Sequence, residues 1–354
     1  MPIMKNMLIT GGSGFIGSNF IRYLLTQSKF TGRVINVDKL TYAGNPESLE
    51  DVKADFPDRY LFEKADICDA RDMDRIFATH DIDVVCHFAA ESHVDRSISS
   101  PEVFIDTNVK GTFTLLECAR KQLSKITLFH HVSTDEVYGT LGKTGYFTEK
   151  TAYKPNSPYS ASKAASDHLV RAYHETYGLP VTISNCSNNY GPFQFPEKLI
   201  PLMVLNALEG KPLPIYGDGA NVRDWLYVED HCSAIWCIMD KGSRGETYNV
   251  GGECEMENRD IVERICALID DTGHKSPGVN SSRDLITFVK DRPGHDFRYA
   301  IDCTKIKTEL GWSPQESFDT GIKKSVAWYL DNLEWVERIK SGAYLDWIKT
   351  HYSA

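Results

Sequence analysis

The segment TGGSGFIGSNFIRYLL, residues 10–25, constrains this chain more than any other. A short apolar run, Met7-Leu8-Ile9, precedes it, and an amphipathic run to Leu25 follows. The order reads as strand, glycine-rich turn, helix. Gly11 permits the tight turn. Gly14 lets backbone approach a pyrophosphate, and Gly17 lets the helix pack closely on the strand. The first helical amides, at Phe15 and Ile16, then face the phosphates.

The chain repeats this alternation. VINVD ends at Asp38, where an acid suits the ribose hydroxyls of an adenosine and repels a 2′-phosphate. That favours NAD over NADP, although Lys39 beside it pulls the other way. A third strand through Tyr60-Leu61-Phe62 leads into KADICD, where Asp66 and Ile67 are placed to flank the adenine. A fourth, DVVCHFAA, ends in Ala89 and Ala90, small enough for a cofactor to approach the backbone. The fifth, ITLFHHV, runs straight into Ser133, Thr134, Asp135 and Glu136. Strands alternating with helical segments predict an α/β fold, a doubly wound parallel sheet of Rossmann type. In such sheets ligands bind beyond the carboxyl ends of the strands, where residues 133–136 would stand.

Downstream, SPYSASKAASDHLVRAYHETYG reads as a helix starting near Pro158. Tyr159 and Lys163 share one face of it. A lysine ammonium near a phenol and a bound nicotinamide favours phenolate and lowers a phenol pKa that is otherwise about 10. Such a tyrosine can take a proton from a sugar hydroxyl while hydride leaves the same carbon, with Thr134 or Ser133 holding the hydroxyl.

Redox at a hydroxyl does not account for Asp135 and Glu136. Oxidising C4 of a hexose acidifies the hydrogen on C5, because the carbanion delocalises into the ketone. One carboxylate can remove that proton while a second, protonated, helps a C6 hydroxyl leave as water. Adjacent carboxylates in a partly dry site push their pKa values apart and supply both forms. The competing reading is that the two acids only cap a turn.

Composition limits the alternatives. With 39 basic against 49 acidic residues, the net charge of −10 disfavours a nucleic-acid partner. No run of about eighteen apolar residues is present, so no membrane span is expected. No leader segment is expected before the first strand. The nine cysteines show no CxxC spacing and read as reduced thiols of a cytoplasmic protein. His93, His130, His131 and His295 have no metal-ligand spacing, so no metal is predicted.

TGGSGFIG (10–17), FAAESHVDRS (88–97), STDEVYG (133–139), YSASK (159–163), NCSNNYGP (185–192) and RDWLYVEDH (223–231), with GGECEMEN (251–258) and RPGHDFRYAID (292–302), carry a full-length resemblance. The chain resembles the extended short-chain dehydrogenase/reductase superfamily and, within it, the 4,6-dehydratases of dTDP-glucose. The acid pair is the narrow part of that match. Two positions depart from the pattern: Phe297 stands where arginine is frequent, and Met256 where tryptophan is frequent.

The resemblance implies a lyase that holds NAD tightly, works as a homodimer in deoxysugar (rhamnose) biosynthesis and releases dTDP-4-dehydro-6-deoxy-glucose. Tyr159 would be the base at C4, assisted by Lys163 and Thr134. Asp135 would be the acid at C6 and Glu136 the base at C5. Asn188 would join the cofactor set.

Residues 1–190 are expected to form the NAD-binding domain, with the chain returning to it near 224–250. Residues 191–354 are expected to form mainly a smaller mixed α/β lobe for the sugar nucleotide. Donors for a diphosphate are spaced through that half: Asn189, Lys198, Arg223, Asn258 and Arg292. Pro214 and Tyr216 could pack against the base. Ser92, His93, Leu199 and His295 complete the expected substrate set. Trp328, Trp335 and Trp347 read as helix packing. The rival functions are another nucleotide-sugar 4,6-dehydratase, for CDP-glucose for example, a 4-epimerase or decarboxylase of the same superfamily, and a non-enzymatic NAD-binding regulator.

Overall fold

The structure is a computed structural model that describes residues 4–274 and 276–342; Trp347 lies outside them. Its strands are β1 (Asn6–Thr10), β2 (Arg33–Asp38), β3 (Tyr60–Lys64), β4 (Val84–His87), β5 (Leu128–Thr134) and β6 (Val181–Cys186). They continue with β7 (Asn188–Tyr190), β8 (Leu213–Tyr216), β9 (Val222–Tyr227), β10 (Thr247–Val250), β11 (Glu255–Glu257) and β12 (Ile286–Val289).

Seven strands form one sheet in the order β10-β6-β5-β4-β1-β2-β3, and every pair in it is parallel. Helices cover both faces, so the central strands are buried throughout; β1 and β5 expose no residue. That is why NMLIT and LFHHV read as unbroken apolar runs rather than alternating ones. One core cluster gathers Leu8, Ile35, Val85, Phe129 and Val170, and the other gathers Met7, Ile9, Phe20, Val84 and Leu128. Each such side chain contributes on the order of 1.5–3 kcal/mol by burial.

The strand order reverses beside β1, whose neighbours are β2 and β4. The crevice for a ligand therefore opens over the ends of β1 and β4, at Gly11 and Ala89. The expected five strands are all present, β5 running two residues further than its apolar run to take in Ser133 and Thr134.

Two smaller sheets, β11-β9-β7 and β12-β8, build the second lobe. Its core holds Tyr190, Met203, Trp225, Ile265, Phe318, Tyr329 and Trp335. Trp328 and Trp335 pack edge to face at 5.0 Å, the packing role expected of them. The chain re-enters the large sheet through β10, which pairs with β6. The helix Val228–Lys241 before it packs against the first helix, Phe15–Thr26.

Candidate active site

The glycine-rich turn is built as tightly as its spacing predicts. Gly11 has φ +70°, and a Cβ there would stand 2.7 Å from the Ala89 backbone. A Cβ on Gly17 would stand 2.3 Å from the Gly11 carbonyl oxygen. Gly14 is different: an added Cβ would meet only the Gly11 carbonyl, at 3.3 Å. The turn is closed towards the sheet at Gly11 and Gly17 and least crowded at Gly14, where the helix begins.

Asp38 ends β2 and is buried. Its Oδ2 accepts the Ser13 N–H at 3.0 Å and its Oδ1 the Leu40 N–H at 2.8 Å, which fixes the carboxylate beside the turn. Lys39 does not join it. Its ammonium pairs with Asp66 at 2.7 Å, so the positive charge beside Asp38 is already neutralised. Ile67 is buried in the core, and Ala89 donates its N–H to Thr10 Oγ1 at 3.3 Å.

Thr134, Asp135 and Glu136 follow β5 into a single helical turn, Asp135–Tyr138. The cap of that turn is Thr134, whose Oγ1 accepts the Glu136 N–H at 3.3 Å. The carboxylates are thus free of the capping role. They sit in unlike surroundings. Asp135 is 1% exposed, and burial, with Glu136 and Asp224 nearby, raises its pKa well above the usual carboxylate range. Its Oδ2 is buried without a hydrogen-bond partner. Burial raises Glu136 too, but Arg292, Arg223 and Lys198 all pull it back down. Both acids are raised, Asp135 well above its ordinary range and relieved only by Arg223 and Thr134, Glu136 against the pull of three cations.

The helix Pro158–Tyr177 begins with Pro158 at its first position and a reciprocal Ser157–Ser160 capping box. Tyr159 and Lys163 follow on one face, both buried. Lys163 Nζ donates to the Val132 carbonyl at 2.9 Å. The expected lowering of the phenol is not found. Burial first, then Glu136, raises Tyr159 well above its ordinary value, and Thr134 only partly offsets this. The physical reason is plain: the acids stand close to the phenol, while the lysine ammonium is directed at a backbone carbonyl. The positive charge of an oxidised nicotinamide is the remaining source of phenolate character.

The other expected site residues are placed as follows. Arg223 gives its guanidinium to the carbonyls of Val222, Asp296 and Phe297 and lies over the Tyr299 ring at 4.2 Å. Arg292 donates to Asp95 Oδ1 at 3.0 Å, and Tyr216 donates to Asp95 Oδ2 at 3.2 Å. Lys198 reaches the Ser92 carbonyl at 3.1 Å, with Leu199 opening the next helix. His93 caps the helix Val94–Ser99, and Asn189 Oδ1 meets His231 at 2.9 Å. His295 bonds Asp291 at 2.6 Å. Asn258 opens the helix Asn258–Asp271, and Pro214 lies in β8. Four atoms in this set are buried with no hydrogen-bond partner: Asp135 Oδ2, Asn188 Oδ1, Asn258 Oδ1 and Arg292 Nε. Native structures leave few such groups, so each of the four is open to a ligand atom. Among the described residues no three His, Cys, Asp or Glu side chains converge as a metal site.

Residues 8–325 match the family GDP-mannose 4,6 dehydratase. A dTDP-glucose 4,6-dehydratase of Shigella flexneri is 57% identical over an alignment of 362 residues covering 98% of each chain. The chain belongs to the dTDP-glucose 4,6-dehydratase family. A dTDP-glucose 4,6-dehydratase of Streptomyces venezuelae, solved with NAD bound, is 47% identical with a TM-score of 0.87, covering 94% of this chain and 99% of that one. One from Bacillus anthracis, solved in complex with NAD, is 49% identical with a TM-score of 0.84 over 95% and 99% of the two chains.

Within this dehydratase, four side chains at the site escaped the sequence reading. Asp95 bridges Arg292 and Tyr216. Glu197 lies 3.1 Å from Arg96 and 3.8 Å from His93. Tyr299 donates to Asp296 at 2.6 Å beneath Arg223, and Asp224 stands behind Asp135. Asp95 and Tyr299 fall inside motifs that were recognised; nothing in their spacing singles them out.

Proposed function

We propose that this NAD-dependent dehydratase removes water from dTDP-glucose through Tyr159, Asp135 and Glu136. The observation that supports the assignment is the asymmetry of the acid pair. Asp135 is buried and pushed well up, which favours the protonated form that a donor needs, while Glu136, raised as well, is pulled down by Arg292, Arg223 and Lys198.

The cradle at Gly11, Gly14 and Gly17, with Asp38, Asp66, Ile67, Ala89 and Asn188, would hold NAD. Bound there, the cofactor would supply the hydride acceptor for C4 and, once reduced, the hydride donor for C6. Tyr159 accepts the C4 hydroxyl proton, Thr134 holds that hydroxyl, and Lys163 assists from one turn further along the helix. Glu136 takes the C5 proton once C4 is a ketone. Asp135 donates to the C6 hydroxyl, which departs as water. Arg292 and Lys198 are the cations placed for the diphosphate, and Tyr216 with Pro214 for the base. Ser92, His93, Asn189, Leu199, Arg223, Asn258 and His295 line the remainder of the substrate site.

The division of labour follows the chain: residues 1–190 and the return through β10 hold the cofactor, and the part from 191 holds mainly the sugar nucleotide. The working form is a homodimer. Ile98, Val103, Ile105 and Phe113 are 40–52% exposed within residues 94–121, apolar surface that a second copy would cover. All nine cysteines are unpaired, in keeping with a reducing cytoplasm.

The test is incubation of the purified protein with dTDP-glucose, followed by NMR. The expected product is the 4-dehydro-6-deoxy sugar. A 4-epimer with its C6 hydroxyl intact would overturn the assignment of the acid pair.

A further inference from the structure

The side chain that stands behind Lys163 is not used by the chemistry above. Tyr159, Lys163 and Asp167 follow one another at i, i+4 and i+8 on the helix Pro158–Tyr177, a single row facing β5. Asp167 is 2% exposed. Its Oδ2 accepts the Ser133 hydroxyl at 2.8 Å and the Tyr153 hydroxyl at 3.0 Å. Its Oδ1 has no hydrogen bond, though His131 Nε2 lies 3.2 Å away out of line. A buried carboxylate is tolerated only where charge or donors compensate it.

The groups that face this carboxylate can be taken element by element. Its own helix presents Lys163, one turn earlier on the same face and not in direct ion-pair contact, and the exposed His168. β5 presents Ser133 and His131, with His87 of β4 packed behind His131 at 5.2 Å. The 139–157 loop presents Tyr153, backed by Asn185 of β6, and Tyr138 lies close by. Burial, reinforced by Lys163, holds His131 well below its ordinary value, so that imidazole is neutral. The tyrosines are neutral. Lys163 is the one buried cation in the set.

Seen from Lys163, the choice is as narrow. Its ammonium is fully enclosed and bonded to a carbonyl, and burial works against its charge. Asp167 and Cys186 are the groups that oppose this. Burial pushes the Cys186 thiol up to about 12, so it carries no charge near neutrality. Asp167, raised by burial to about 6 against the pull of Lys163, is an anion there.

We infer that Asp167 is the counter-ion of Lys163 and, acting through it, a positioning residue for C4 oxidation. The inference rests on the assignment of Tyr159 and Lys163 made above. It also gives a use to a cavity of ≈ 920 Å³ lined by Tyr153, Asp167, His168, Arg171, Glu246 and Lys305. None of the residues assigned to cofactor or substrate, Asp167 aside as their support, lines it. Of the two residues Asp167 alone lines it, so water in this cavity reaches the carboxylate from the side away from Lys163's carbonyl partner.

The test is the pH dependence of C4 oxidation in single turnovers, read as nicotinamide absorbance. Removing the anion lets Lys163 lose its proton sooner as pH rises. In Asp167→Asn the alkaline limb should therefore fall by about one pH unit or more, and Asp167→Glu should restore it. A purely structural role would lower the rate at every pH and leave the limb in place, which overturns the inference. If Asp167→Asn does not fold, the coupling is read from the other partner. In Lys163→Met, with NAD bound, the Asp167 carboxyl followed by carbon-13 NMR should titrate clearly above about 6; an unmoved titration overturns the inference. Lys163→Met that oxidises C4 at the wild-type rate would instead fail the site assignment beneath it.

Discussion

Lys39, the residue after Asp38, forms an ion pair of 2.7 Å with Asp66. The pairing bears on the one feature that blurs the sequence's preference for NAD, because a free lysine beside Asp38 would argue for NADP. With Lys39 neutralised, the buried Asp38 is expected to set the preference. Asp38→Ala should weaken NAD binding and relax discrimination against NADP. Asp66→Asn, which frees Lys39, should improve NADP binding alone. Titrating both cofactors into nucleotide-stripped protein checks this; equal affinities in the wild type would contradict it.

The glycine turn separates fold from cofactor. Gly17→Ala drives a methyl to 2.3 Å from the Gly11 carbonyl and 2.7 Å from Gly12 Cα, both backbone. Overpacking of this kind costs about 1–3 kcal/mol, so the stripped protein should melt earlier. Gly14→Ala meets one oxygen at 3.3 Å. It should leave the melting temperature of the stripped protein nearly unchanged while lowering NAD affinity, a contrast that thermal unfolding with and without NAD would register.

Tyr159→Phe keeps the ring and loses the phenol. The Tyr159 ring packs edge-on against Phe104 at 6.3 Å, so the fold should persist. Losing a positioned acid–base group costs roughly 10²–10⁴-fold. Stopped-flow mixing with dTDP-glucose should show C4 oxidation slowed by that order, and normal formation of reduced nicotinamide would remove Tyr159 from its role.

Much of this was legible before the structure. Five of the seven parallel strands announced themselves as apolar runs that end in small or acidic residues. β10 did not. It is four residues, TYNV, and it earns its place only by pairing with β6, 61 positions or more earlier in the chain. At the site, the signals that could be read were local ones: the glycine spacing, the adjacent acids and the i,i+4 tyrosine and lysine. What could not be read were contacts that close across the sequence. Arg292 meets Asp95 from 197 positions away. Arg298 holds Glu255 with both forks of its guanidinium, and Ser133 finds Asp167 on a different element. The direction of the Tyr159 shift failed for the same reason, since the spacing of Tyr159 and Lys163 does not say that the ammonium turns to Val132.

The central claim is that Asp135 and Glu136 divide acid and base work, and one paired measurement tests it most directly. Asp135→Asn and Glu136→Gln are each mixed with dTDP-glucose in deuterated water, and C5 deuterium uptake is followed alongside reduced nicotinamide. Both variants keep Tyr159, Lys163 and Thr134, so both should form reduced nicotinamide. Glu136→Gln should take up little deuterium at C5, because that proton is no longer removed. Asp135→Asn should accumulate reduced nicotinamide with water loss slowed, and should retain C5 exchange if elimination is stepwise. Wild-type turnover in both variants would contradict the account and leave the two carboxylates as residues of a turn.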